Sequence, residues 1–427
     1  MRVFASRAAM AVVALTITTF VAFLRLPAAA SATVWAEDGP IFIGQAFSGG
    51  GPAALFAPYE GYLHVLPRTI AELVVHFVAL KDFAVALAFA SSLVVGLVAF
   101  LTYYCAGALT DKVWLRAAWA AIPVMVSVAP YEILGNTANL HWYLLWLMPW
   151  LLFKPAENKA SGFLLFAVAG LSAITEVISV VFLPLVLFRV RNKAYWPARA
   201  GLIAGAACQI FTVFTYPRSE HKGEFIDMGS VLIGWFVNIT GVVVYGASRN
   251  MGLNILNFGW APVVVASVPI VALAAYLLTT ASQQNRLVAL VFLAASLGIW
   301  TACLVANPGG EFHYSQLTDT EWAQFTLSRY SAVPSMFILA LVPLLAESLV
   351  RKSVPAAAAV GAVLAVLLAV SYFPTQVARE AGPSWSDGVQ AAKEACEGAA
   401  DSETRPVHVA PEGWAVEGVP IMCARLR

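Results

Sequence analysis

An apolar run at 8–24 is followed by others at about 83–108, 114–128, 141–153, 161–175, 177–189, 200–216, 259–280, 288–306, 333–347 and 353–372. A stretch of about 20 such residues crosses a bilayer core, where only helices and closed barrels satisfy their own backbone hydrogen bonds. In a chain of 427 residues, 60% hydrophobic and 11% charged, these runs exceed what one soluble core can bury. The expected fold is an all-α, polytopic membrane bundle.

Charge orders the runs. Basic residues collect at Arg2/Arg7, Lys112/Arg116, Lys154/Lys159, Arg189/Arg191/Lys193/Arg199, Arg286 and Arg351/Lys352. The positive-inside rule places all of them in the cytoplasm, so an even number of crossings separates each group from the next. Two further apolar stretches, 66–80 and 231–247, break that parity if they cross. In 66–80 the residues Arg68, Glu72 and His76 recur every four positions and share one helix face, which suits an interfacial helix. For 231–247 parity alone argues against a crossing.

About eleven transmembrane helices result, with the N-terminus inside and the C-terminus outside. Loops at about 25–82, 217–258 and 307–332 are external. Residues 1–373 form the membrane domain and 374–427 a small extracytoplasmic segment. The first run is expected to be a retained helix, because 8–24 is longer than a signal-peptide core despite the small residues of "PAAASA".

Cys105, Cys208 and Cys303 sit in apolar runs and read as buried side chains. Cys396 and Cys423 lie in the polar tail, where an oxidising compartment permits a disulfide. The tail also reads as a short helix followed by strand-like "PVHVAP" and "GVPIMC". Net charge is +1 and no basic-aromatic patch occurs, which argues against a nucleic-acid partner. No Walker loop, dinucleotide glycine motif or zinc signature is present, so neither ATP nor a dinucleotide is indicated.

Polar chemistry concentrates in the external turns. "VWAEDGPIF" carries Glu37 and Asp38, and "YEGYLHVLPR" carries Tyr59, Glu60, Tyr62, His64 and Arg68. "EILGNTANLHW" adds Glu132 and His141, Glu176 separates two short runs, and "PRSEHKGEF" adds Arg218 and His221. "EFHYSQ" brings Glu311 and His313, and "LSRYSAVP" places Arg329 and Tyr330 at the head of a late run. Each turn alone reads as a hydrated helix end. Together they describe an outward cavity with carboxylate bases for a hydroxyl and cations for a phosphate.

A multi-span chain with an acidic pair, "WAEDG", in the first external loop followed by interfacial helices resembles the GT-C superfamily of integral-membrane glycosyltransferases. The resemblance implies a polyprenyl-phosphate sugar donor, a glycan or lipid acceptor, and a first-loop acid as general base. Of the pair, Asp38 is the preferred base over Glu37, because the Gly39-Pro40 turn fixes its position. By the same likeness Arg329 and Tyr330 contact the donor phosphate, with Arg68, His64 and His141 as further candidates.

Tyr59, Tyr62, Glu176, His221 and Trp385 are candidates for holding acceptor or sugar, with Trp414 a second ring able to stack on one. No cofactor is firmly implied. A divalent metal lacks a full ligand set, since Glu60, Glu132 and Glu176 are not brought together by sequence. The expected location is a bacterial plasma membrane with the site on its outer side. A transporter or flippase for a lipid-linked sugar or other envelope precursor, and a non-catalytic envelope scaffold, are the alternatives.

Overall fold

The computed structural model describes residues 2–218, 225–246, 250–370, 372–374, 377–411 and 418–427. The principal helices are α1 (Arg2–Leu24), α2 (Val65–Phe77), α3 (Phe83–Ala106), α4 (Val113–Met125), α5 (Leu140–Phe153), α6 (Lys159–Thr175) and α7 (Trp196–Thr215). They continue with α8 (Met228–Trp235), α9 (Ala261–Thr280), α10 (Gln283–Ala306), α11 (Ala332–Val350), α12 (Val354–Val370) and, in the tail, α13 (Trp385–Glu394). Among the described residues seven helical stretches are long and apolar enough to cross a membrane, and five shorter apolar helices accompany them. The protein is a helical membrane protein.

Helix α5 organises the interior. Beyond His141 near its start, its sequence LHWYLLWLMPWLLF carries no charged or strongly polar side chain, and all of its residues are buried. A helix of this length with no polar stripe belongs in a core rather than at a lipid boundary. Around it Trp146 and Trp150 pack at 5.4 Å, Trp119 meets Trp150 at 5.3 Å, and Phe337 meets Trp146 at 5.3 Å. The indole of Trp119 donates to Ala340 O at 3.0 Å and that of Trp146 to Thr102 Oγ1 at 3.1 Å, whereas Trp150 Nε1 is buried without a partner. The outer helices instead expose large apolar groups such as Phe163, Phe211, Phe214 and Val265, surface that lipid covers.

Two expectations change. The 231–247 stretch, expected to stay out of the membrane, lies mostly within Met228–Tyr245, one of the seven long apolar stretches, which bends through a π turn at Phe236–Thr240. Cys208, expected to be buried, is exposed on α7, whereas Cys105 and Cys303 are buried. The α7 face that Gly201 and Gly205 press against α6 is the buried one: a Cβ at Gly201 would meet Phe166 O at 2.3 Å. The face carrying Cys208 is the other.

The tail folds largely as its sequence suggests. β1 (Thr404–Val407) pairs antiparallel with β2 (Val419–Met422), and Cys396 is bonded to Cys423. It docks onto the 25–82 segment: Ala36 N donates to Ala410 O at 2.5 Å, Ala410 N to Val34 O at 3.0 Å, and Trp385 N to Ala32 O at 2.9 Å.

Candidate active site

The acidic pair sits on irregular backbone. Ala36–Asp38 forms one 3-10 turn and Gly39–Ile43 a π turn. Ala36 holds φ +34, in the left-handed region that costs a residue with a Cβ, beside an isolated bridge that joins Trp35 to Ala410 of the tail. Gly39 is required by close approach, because a Cβ there would meet Val409 Cγ1 at 2.6 Å and Val419 Cγ2 at 3.0 Å.

This turn sends the two carboxylates different ways. Asp38 is 1% exposed and accepts from Thr137 N at 2.8 Å, Thr137 Oγ1 at 2.5 Å and Ala138 N at 2.7 Å. Burial pushes its pKa up to about 6, and the three donated hydrogen bonds oppose that rise. Asp38 ties the first loop to the 131–138 turn and does not line the cavity described next. The tail braces the same turn, for the buried Arg379 donates to Leu134 O at 2.6 Å and Gly135 O at 2.7 Å.

Glu37 points into a cavity of about 300 Å3. The walls come from Tyr59, Tyr62 and His64 of the first loop, His141 and Trp142 of α5, Glu176, Arg218, Asn307, and Arg329 with Tyr330. A second chamber of about 690 Å3 adjoins it across Arg218, Asn307, Arg329 and Tyr330, and Glu132, Glu311 and Tyr314 line its far side. Eight candidates read from separate stretches of sequence thus share one cavity: Glu37, Tyr59, Tyr62, His64, His141, Glu176, Arg329 and Tyr330.

The hydrogen bonds sort the charged groups. Glu60 accepts from Arg218 Nε at 2.6 Å, and Arg218 Nη1 donates to Ala306 O at 3.0 Å and Asn307 Oδ1 at 2.8 Å. Glu132 pairs with Arg329. Glu176 pairs with His141 Nδ1 and also accepts from Ile178 N at 2.7 Å, which fixes the imidazole against Trp142. In the neutral form the carboxylate holds the proton on Nδ1 and leaves Nε2 as acceptor. Among the described residues Glu37 is the carboxylate lining this cavity that has no hydrogen-bond or ion-pair partner.

Two neutral groups complete the wall. The backbone of Tyr59 and Tyr62 closes a reciprocal turn at 3.0 and 3.1 Å, into which His64 Nε2 donates at 3.2 Å to Tyr59 O. His64 Nδ1 is buried without a partner. Burial, then the charges of His141 and Arg68, depress the His64 pKa to about 3, so the ring is uncharged at neutral pH. Burial raises the Tyr59 hydroxyl to about 12, Glu37 and Glu60 add to the rise, and Arg218 and Arg329 oppose it. The phenol therefore feels both signs of charge in the cavity.

Two candidates stand elsewhere. Arg68 is 3% exposed and lies 5.3 Å from the centre of the Phe42 ring with Gln45 as its hydrogen-bond partner, outside the cavity wall. Trp385 is fully buried in the tail, stacked 6.2 Å from Phe83 with its indole donating to Leu80 O at 2.7 Å, so no sugar reaches its face. His221 and Trp414 lie outside the described residues. Phe42, Trp142 and Asn307 were not foreseen. Their one sequence signal is adjacency, Trp142 to His141 and Asn307 to the Pro308-Gly309-Gly310 turn.

Among the described residues no three His, Cys, Asp or Glu side chains converge as metal ligands. No protein-family model matches the chain, and neither does any curated protein or solved structure.

Proposed function

We propose that the chain is an integral-membrane glycosyltransferase of the GT-C kind, moving a sugar from a polyprenyl phosphate to a hydroxyl of a glycan or lipid acceptor. In this proposal about eleven helices cross a bacterial plasma membrane, and the cavity opens on its outer side. The acceptor oxygen attacks the anomeric carbon of the donor and the bond from that carbon to the phosphate oxygen breaks. Glu37 takes the hydroxyl proton, and polyprenyl phosphate leaves with the bonding electrons. Arg329 and Arg218, whose guanidinium groups each carry five donors, face the negative charge that gathers on the leaving phosphate.

The observation that carries the proposal is Glu37, an unpartnered carboxylate in one cavity with two arginines. A base has to be free to accept a proton, and Glu60, Glu132 and Glu176 are each engaged in an ion pair. In this proposal Asp38 gives up the role of base to its neighbour because it is buried, outside the cavity wall, and engaged by three hydrogen bonds from Thr137 and Ala138.

The test uses the full chain in proteoliposomes with a panel of polyprenyl-phosphate pentoses and hexoses, following release of polyprenyl phosphate. Glu37→Gln is expected to lower transfer by about 10²-fold or more at an unchanged thermal midpoint. Transfer within about twofold of the native rate takes Glu37 out of the chemistry. Ion-coupled uptake of the donor with no transfer makes the protein a transporter instead.

A further inference from the structure

Helices α1 and α4 both pack along α3 and scarcely touch each other. Between them runs an apolar groove of about 990 Å3, with Phe100 and Tyr103 of α3 as its floor and Ala14, Ala117 and Ala121 on its walls. Among the described residues one charged side chain lines it, Arg116. From Arg116 to Met125 the groove follows ten residues of α4, whose nine steps of 1.5 Å span about 14 Å, close to half of a hydrocarbon core about 30 Å thick. Its length is that of one leaflet.

We propose that this groove is a binding site for an anionic membrane phospholipid, with its acyl chains against the alanine walls and its phosphate on Arg116. Arg116 is prepared for that contact. Its Nε donates to Tyr103 O at 3.0 Å and its guanidinium lies 4.1 Å from the Tyr103 ring centre, which orients the plane. Its two Nη groups have no hydrogen-bond or ion-pair partner among the described residues. Lys112, one turn earlier, is already paired with Glu347 at 3.3 Å. Among the described residues no acid lines the groove, so its charge is positive, which favours a lipid with a net negative headgroup over a zwitterion.

The walls belong to apolar stretches that include two of the seven long ones, a depth that a soluble partner does not reach. A lipid here fills the space between α1 and α4 and braces the helix that leads into the Glu37 loop. The site is independent of the proposed transferase activity.

The full chain, reconstituted in nanodiscs of equal phosphatidylglycerol and phosphatidylcholine and released for native mass spectrometry, reads the site directly. One phosphatidylglycerol per chain is expected to be retained, with about tenfold preference over phosphatidylcholine. Arg116→Gln is expected to reduce that preference to near unity. Ala117→Phe, which keeps the cation and fills the groove from an exposed position, is expected to expel the lipid and decides the matter should Arg116→Gln not yield monodisperse protein. Equal retention of both lipids by the native chain, unchanged retention in Ala117→Phe, or a lipid-free dimer would overturn the proposal.

Discussion

Replacing Thr137 by Val tests whether Asp38 is an anchor held as a charge. Val keeps the shape and the backbone donor and removes the hydroxyl that donates to Asp38 Oδ1 at 2.5 Å. A hydrogen bond to a buried charge contributes about 1.5–3 kcal/mol. The loss falls on the ionised form alone, so it raises the Asp38 pKa from about 6 by one to two units, at about 1.4 kcal/mol per unit.

The sign of the pH effect follows. A carboxyl with a folded pKa above its unfolded 3.8 lends stability that is present below 3.8 and lost as pH rises through the folded value. Raising the folded value further makes the variant weaker than the native chain only above about pH 6, fully so near pH 8.5. Thermal unfolding of the reconstituted chain, followed by tryptophan fluorescence, is expected to show the variant a few degrees lower at pH 8.5 and coincident with the native chain at pH 5. An equal drop at both pH values would mean that the hydroxyl serves packing, and no drop at pH 8.5 would mean that Asp38 is not held as an anion.

Arg379→Gln removes the fork that holds Leu134 O and Gly135 O, and is expected to destabilise the docked tail by about 2–4 kcal/mol. Hydrogen–deuterium exchange should then quicken in 32–38 and 131–138 together; faster exchange in the tail alone counts against the brace. His64, with its pKa depressed from 6.5 to about 3, lends stability that is present above pH 6.5 and lost as pH falls toward 3. His64→Gln is expected to flatten that acid limb of the midpoint-versus-pH curve, and an unaltered limb would show that another group sets it.

Much of the fold was legible because membrane helices announce themselves by length and apolarity, which depend on composition and not on neighbours. Hence α3, α9, α10, α11 and α12 lie close to their expected ranges. Helix α5 shows the limit of that signal. Its 14 residues look like a short crossing, and only the surrounding aromatic rings reveal that every face is covered. The 231–247 stretch was read by parity, which counts charges in loops and is blind to length and apolarity: Met228–Tyr245 is long and apolar enough to cross, with a π turn at Phe236–Thr240 in which Asn238 is buried.

The cavity was legible in its parts. Acids, imidazoles, an arginine and tyrosines in the polar turns could be read one turn at a time, and eight of them line a single space. The division of labour within Glu37-Asp38 could not be read. Two adjacent acids are nearly identical as sequence, and what separates them is Thr137 and Ala138, about a hundred positions away, together with the left-handed turn at Ala36 beside the bridge from Trp35 to Ala410.

By itself the sequence determined that the chain is a helical membrane protein, which polar residue types its turns carry, and that Cys396 and Cys423 are placed to pair. Tertiary structure alone decided which carboxylate is buried as a tie and which is left free, that Arg68 and Trp385 serve packing, and that α1 and α4 leave a groove beside Arg116. The physical reason is that apolarity is a local property of a side chain, whereas a charge acquires its role from the donors, acceptors and water that distant segments bring to it or exclude.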